Sequence, residues 1–243
     1  MLSRLTPLWA GIYLVPLTAG FLVTGPVAGR LSDRWGAREL ATLGLLIGAL
    51  SFLLLISIPV DFAYPVFAVV LFLNGVGSGL FASPNSASIM NSVPRASRGA
   101  ASGMRATFQN MGTPLSIGTF FSLMIIGLNA TVPQAMYNGL VSSGVSQSVA
   151  TGLSKLPPVG YLFAAFSGYN PLGTLLGPNV LSTLPQDTVA NITGRSYFPN
   201  LIAAPFKHGL TVVLLFSVGI YLFAAVVSWM RGRSPNLPIG PKT

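Results

Sequence analysis

The sequence has no cysteine, one histidine and only four acidic residues in 243. Without cysteine there is no disulfide framework and no thiolate metal site, and one imidazole with four scattered carboxylates argues against a structural metal cluster. Charge of either sign is scarce, at 7% of residues against about a quarter in an average soluble domain. No Gly-x-x-x-x-Gly-Lys loop is present to cradle a nucleotide phosphate, which excludes ATP hydrolysis by that device. His208 has no serine or cysteine nucleophile beside it, so a membrane enzyme is disfavoured and no cofactor is implied. The formal charge of +9 does not point to nucleic acid, because the basic residues are scattered between apolar runs and not gathered on one solvated face.

What remains is apolar. Hydrophobic residues make up 51% of the chain and the mean hydropathy is +0.69. A spanning helix needs about 20 mainly apolar residues. Five stretches meet that requirement, at about 8–28, 40–58, 65–91, 98–128 and 210–230. Pro16, Gly20, Gly25 and Pro26 predict a kinked first helix, and Asp61 closes the second. Between the fourth and fifth, residues 129–208 are so broken by prolines and charges that no uninterrupted apolar span survives. That stretch is expected to be a long loop with interfacial helices. A weak amphipathic helix is predicted near 134–154, and Tyr161, Phe163, Phe166 and Tyr169 are expected at headgroup level. The organisation predicted is thus an all-α membrane protein: four spans in 1–128, a loop over 129–208, a last span over 209–230 and a tail from 231 to 243.

Charge is concentrated at one point. Arg30, Asp33, Arg34 and Arg38 fall within nine consecutive positions between the first two spans, which marks a hairpin turning in water. Basic residues near the span ends favour this side, with Arg95, Arg98, Arg231, Arg233 and Lys242 joining it, and Arg4, Lys155, Arg195 and Lys207 opposite. The positive-inside rule then puts the charged hairpin and the tail in the cytoplasm and the long loop outside.

The segment Gly29-Arg-Leu-Ser-Asp33-Arg34-x-Gly36-x-Arg38 resembles the loop motif of the major facilitator superfamily. Leu80-Phe-Ala-Ser-Pro84-Asn85, Ser92-Val-Pro94, Arg98-Gly99-x-Ala-Ser-Gly103-Met104 and Phe163-Ala-Ala-Phe166-x-Gly-Tyr169-Asn170-Pro171 follow in order. Together they resemble the C-terminal half of the 14-helix drug:proton antiporter branch. The resemblance implies a multi-pass protein of the cell membrane, surrounded by lipid and part of a multidrug efflux antiporter working by alternating access. It implies a small lipophilic substrate, protons as the counter-ion, and a partner N-terminal half that precedes the residues given. By the same resemblance Asp33 and Arg34, with Gly29, Gly36 and Arg38, would form a cytoplasmic gate. A solvated topogenic loop is the plainer alternative. A truncated, non-transporting fragment or interaction module is the alternative for the whole chain.

Polar residues inside the spans supply the remaining candidates. Asn74, Ser78, Asn85, Ser88 and Ser92 share one helical face of the third span, and Ser102, Arg105, Gln109, Thr113 and Ser116 one of the fourth. Asn74, Asn85, Arg105 and Gln109 are candidates to line an aqueous cavity, since polar groups at membrane depth are costly unless they meet water or one another. Interhelical hydrogen bonding, and snorkelling in the case of Arg105, remain open. Gly75 with Gly79 and Gly99 with Gly103 form small-xxx-small pairs that predict close helix packing. No Asp or Glu falls within a span, so a proton-carrying carboxylate would have to come from outside this chain.

Overall fold

The computed structural model describes residues 7–59 and 62–231. Arg4, Asp61, Arg233, Lys242 and the tail from 232 lie outside the described residues. Ten α-helices follow one another: α1 (Pro7–Tyr13), α2 (Val15–Trp35), α3 (Ala37–Ser57), α4 (Tyr64–Asn91), α5 (Arg98–Ser142), α6 (Gln147–Ser154), α7 (Pro158–Ser167), α8 (Leu172–Leu181), α9 (Gln186–Thr193) and α10 (Tyr197–Met230). No strand occurs among the described residues. Among the described residues four helices, α3, α4, α5 and α10, are long and apolar enough to cross a membrane. The first of the five expected spans is different. It breaks at Leu14, then runs on as α2 through Arg30, Asp33 and Arg34 to Trp35, and its glycines, prolines and charges keep it less apolar than the four.

The chain forms two compact units, residues 1–113 with 214–243 and residues 114–213. In the first unit α4 lies between α2 and α3. Small residues make this possible. A Cβ on Gly75 would collide with the Leu17 carbonyl and one on Gly20 with the Phe72 carbonyl, so α2 and α4 run backbone to backbone. On the next face of α4, a Cβ on Gly77 would sit 2.7 Å from the Gly44 carbonyl oxygen and 2.9 Å from the Gly48 nitrogen of α3. In lipid, where burial of apolar surface gives helices no mutual attraction, close approach and interhelical hydrogen bonds take its place. The C-terminal part of α10 packs antiparallel on α3: Tyr221 covers Gly48 and meets Phe52 edge-on at 5.2 Å, and Thr42 Oγ1 donates to Ser228 Oγ at 3.0 Å.

The second unit takes in most of the stretch expected as a long loop with interfacial helices. Helix α5 runs past Leu128 to Ser142, and α10 begins at Tyr197, so much of 129–208 belongs to two long helices joined by α6 to α9. Pro133 and Pro205 sit inside these helices without ending them, which is why a search for uninterrupted apolar runs missed the continuation. Met124, Leu128, Val132, Met136 and Leu140 recur every fourth residue on α5 and are all buried. They face Phe198, Ile202 and Val213 of α10 and Leu172, Leu176 and Ile192 of the short helices in one apolar core. Tyr161 belongs to this core, 4% exposed, and not to the headgroup position expected of it, while Phe163 and Tyr169 remain exposed; the Phe166 side chain lies outside the described residues.

Candidate functional site: charged helix ends and the Arg105 cleft

The charged hairpin folds to a single non-helical residue. Helix α2 persists through the motif to Trp35, and Gly36 turns the chain at φ +96°, a conformation glycine adopts without steric cost. Its N–H caps α2 on the Ser32 carbonyl at 3.0 Å, and Ser32 Oγ donates to the Gly29 carbonyl at 2.7 Å. Helix α3 then starts with Glu39 in its first turn and α2 ends with Arg34 in its last, each on the side the helix dipole favours. Gly29 faces Ser83 of α4 across a gap that a Cβ would narrow to 3.0 Å.

The five motif residues have different surroundings. Asp33 and Arg34 are exposed, and neither forms an ion pair among the described residues. Arg38 pairs with Glu39 at 3.3 Å, and its guanidinium lies 4.3 Å from the centroid of the Trp229 ring on α10. Arg231, one residue beyond α10, donates from Nη2 to Asn85 Oδ1 at 2.8 Å. The end of α10 is therefore fastened to α3 and to α4 by one cation each. Trp229, Arg231, Thr42 and Ser228 carry no motif, and only the fold places them against their partners.

Beside this end lies a cleft of about 390 Å³. Helix α2 contributes Phe21, Gly25 and Pro26 to its walls, α4 contributes Gly79, Ala82, Ser83 and Ser86, and Arg105 of α5 completes it. Of the four residues expected to line a cavity, Arg105 lines this one. Asn85 is half-buried and engaged by Arg231. Asn74 is buried between α3 and α4, with Nδ2 donating to Ser51 Oγ at 2.7 Å, a hydrogen bond between the two helices. Gln109 is exposed, one turn beyond Arg105, and its carbonyl accepts from Thr113 Oγ1 at 3.2 Å. Gly79 packs within 3.1 Å of the α2 backbone by the same Cβ test, whereas Gly99 and Gly103 have nothing within 4 Å. Around Gly99 and Gly103 that part of α5 is largely exposed, and no described residue packs on the pair.

The family description of the Major Facilitator Superfamily matches residues 3–137, more than half of the sequence, from before α2 to within α5. The chain belongs to the Major Facilitator Superfamily. Among its curated relatives, the riboflavin transporter RibZ of Clostridioides difficile is 30% identical over 121 residues, which are 50% of this chain and 26% of the relative. The drug efflux pump JefA of Mycobacterium tuberculosis is 32% identical over 132 residues, 54% of this chain and 26% of the relative. An uncharacterized transporter of the superfamily, YfiU of Bacillus subtilis, is 24% identical over 247 residues, covering 96% of this chain and 43% of its own length. The chain thus spans between about a quarter and less than half of these relatives. No solved structure matches it. The matched region contains the charged turn between α2 and α3, the glycine faces of α2 to α4 and the residues lining the Arg105 cleft.

Ser83 and Ser86 are the cleft residues that the polar pattern of the third span did not single out. Ser83 lies in the Leu80 to Asn85 motif and on the four-residue step Gly75, Gly79, Ser83 along the face that meets α2, whereas Ser86 carried no such signal.

Proposed function

We propose that this chain is part of a secondary active efflux antiporter of the 14-helix branch, contributing helices of its C-terminal half. Five helices cross the cell membrane in this reading, α2 with the four more apolar ones, and the charged turn at Gly36 faces the cytoplasm. The core of α6 to α9 then lies outside, and small lipophilic molecules leave in exchange for protons by alternating access between this half and an N-terminal one. The observation that carries the reading is the superfamily match over residues 3–137, laid on helices packed through glycine faces beside an open cleft. The drug efflux relative supports the substrate class. Asp33 and Arg34, exposed and without an ion-pair partner among the described residues, are available to engage a neighbouring helix end in one of the two transport states.

The test is export from cells lacking their main efflux pumps, using a cationic and a carboxylated lipophilic dye, with the 243-residue chain and with its upstream-extended reading frame. Energy-dependent loss of dye with the extended frame is expected, and Asp33→Asn in it should slow export severalfold at equal membrane abundance. Full export by Asp33→Asn removes the gate. No export by either form favours a non-transporting interaction module.

A further inference from the structure

The cleft is built for one sign of charge. Arg105 is its charged residue, and none of the described carboxylates lines it: Glu39 pairs with Arg38, Asp33 lies on the last turn of α2 and Asp187 opens α9. Its hydroxyls add to the imbalance. Ser86 Oγ spends its proton on the Ala82 carbonyl at 2.6 Å, while the Ser83 hydroxyl makes no hydrogen bond among the described residues and keeps its donor. A planar guanidinium and a free hydroxyl make a site rich in donors, and Phe21 and Pro26 give it apolar walls. The cleft is open, with Phe21, Pro26 and Arg105 themselves exposed, so an amphipathic molecule would lie along it with one face to the surroundings.

We propose that this cleft binds amphipathic anions, an acid group of carboxylate or phosphate type on Arg105 and Ser83 with its apolar body against Phe21 and Pro26. The inference rests on reading the cleft as a substrate wall, and it narrows the substrate class from lipophilic molecules in general to lipophilic acids. The same chemistry is offered by a free acid and by an anionic lipid headgroup.

The experiment uses the full chain in phosphatidylcholine nanodiscs, titrated with dansylaminoundecanoic acid and with its methyl ester, each corrected for empty discs. The acid is expected to bind at least about tenfold more tightly than the ester, the scale of one charge-assisted hydrogen-bonded pair. Arg105→Gln should bring the ratio of acid to ester affinity to about one, and Arg105→Lys should retain part of the preference. Equal binding of acid and ester, or an undiminished preference in Arg105→Gln, overturns the proposal. Repeating the titration with phosphatidylglycerol in the discs separates the sources. Competition identifies a lipid headgroup as the occupant, and its absence a free acid. Because binding and not export is read, loss of the preference would refute the acid site and leave the transporter reading standing, while absent export would leave the binding result intact.

Discussion

Several of the polar side chains that define this structure act as fasteners, and Asn170 is the most fully used. Its Nδ2 donates to the Ile192 and Gly194 carbonyls, each at 2.8 Å, and its Oδ1 accepts from the Leu172 N–H at 3.0 Å, so one side chain holds the start of α8 to the end of α9. Asn170→Leu strands three backbone groups and should cost about 2 kcal/mol, read as a lower midpoint in thermal unfolding; an unchanged midpoint would contradict this role. Tyr161 gives a pH signature. Burial pushes its phenol up to about 12 from an ordinary value near 10, and its hydroxyl donates to the Leu153 carbonyl at 2.6 Å. A folded-state value above the unfolded one means a contribution fully present below about pH 10 and lost as pH rises through about 12. Unfolding midpoints should therefore fall across that alkaline range, and Tyr161→Phe should flatten the fall.

At the scale of elements, glycines decide which helices can touch. Gly77 has α3 backbone on its open side, atoms that cannot swing away as a side chain would, so Gly77→Ala should destabilise by about 1–3 kcal/mol. Gly99→Ala and Gly103→Ala have open space around them and should be neutral or stabilising by up to about 1 kcal/mol through helix propensity. Detergent-solubilised chains compared by thermal unfolding test the contrast, and equal losses at all three positions would sink it. The small-xxx-small pattern is identical in Gly75 with Gly79, which meet the α2 backbone, and in Gly99 with Gly103, which meet nothing within 4 Å. Only what lies opposite differs.

For the whole molecule, two units with separate cores predict separable responses. Asn170→Leu should raise amide exchange on the Met124 to Leu140 face of α5 and leave Thr42 to Ser51 of α3 unchanged, whereas Gly77→Ala should do the reverse. Uniform acceleration throughout the chain by either variant would show a single cooperative unit. The superfamily match covers residues 3–113 of the first unit and 114–137 of the second, while the rest of the second unit departs most from a reading based on apolar runs.

The sequence by itself determined the class of protein. Scarce charge, long apolar runs and the Gly29 to Arg38 signature are local properties of the chain, and they were enough for an all-helical membrane protein of this superfamily. It also marked a charged turn between the first two helices and Gly75 with Gly79 as a packing pair, whereas the turn residue Gly36 and the partner helix α2 came from the fold. Tertiary structure alone decided the rest. Prolines inside α5 and α10 look the same in sequence whether they break a helix or ride within one, and packing of the Met124 to Leu140 stripe selects the second. Asn74 and Arg105 are both polar residues in apolar segments, yet one is consumed by Ser51 and the other faces a cleft. Which fate a buried polar group meets depends on partners far away in the chain, such as Trp229 for Arg38 and Arg231 for Asn85, and no periodicity within one helix carries that information.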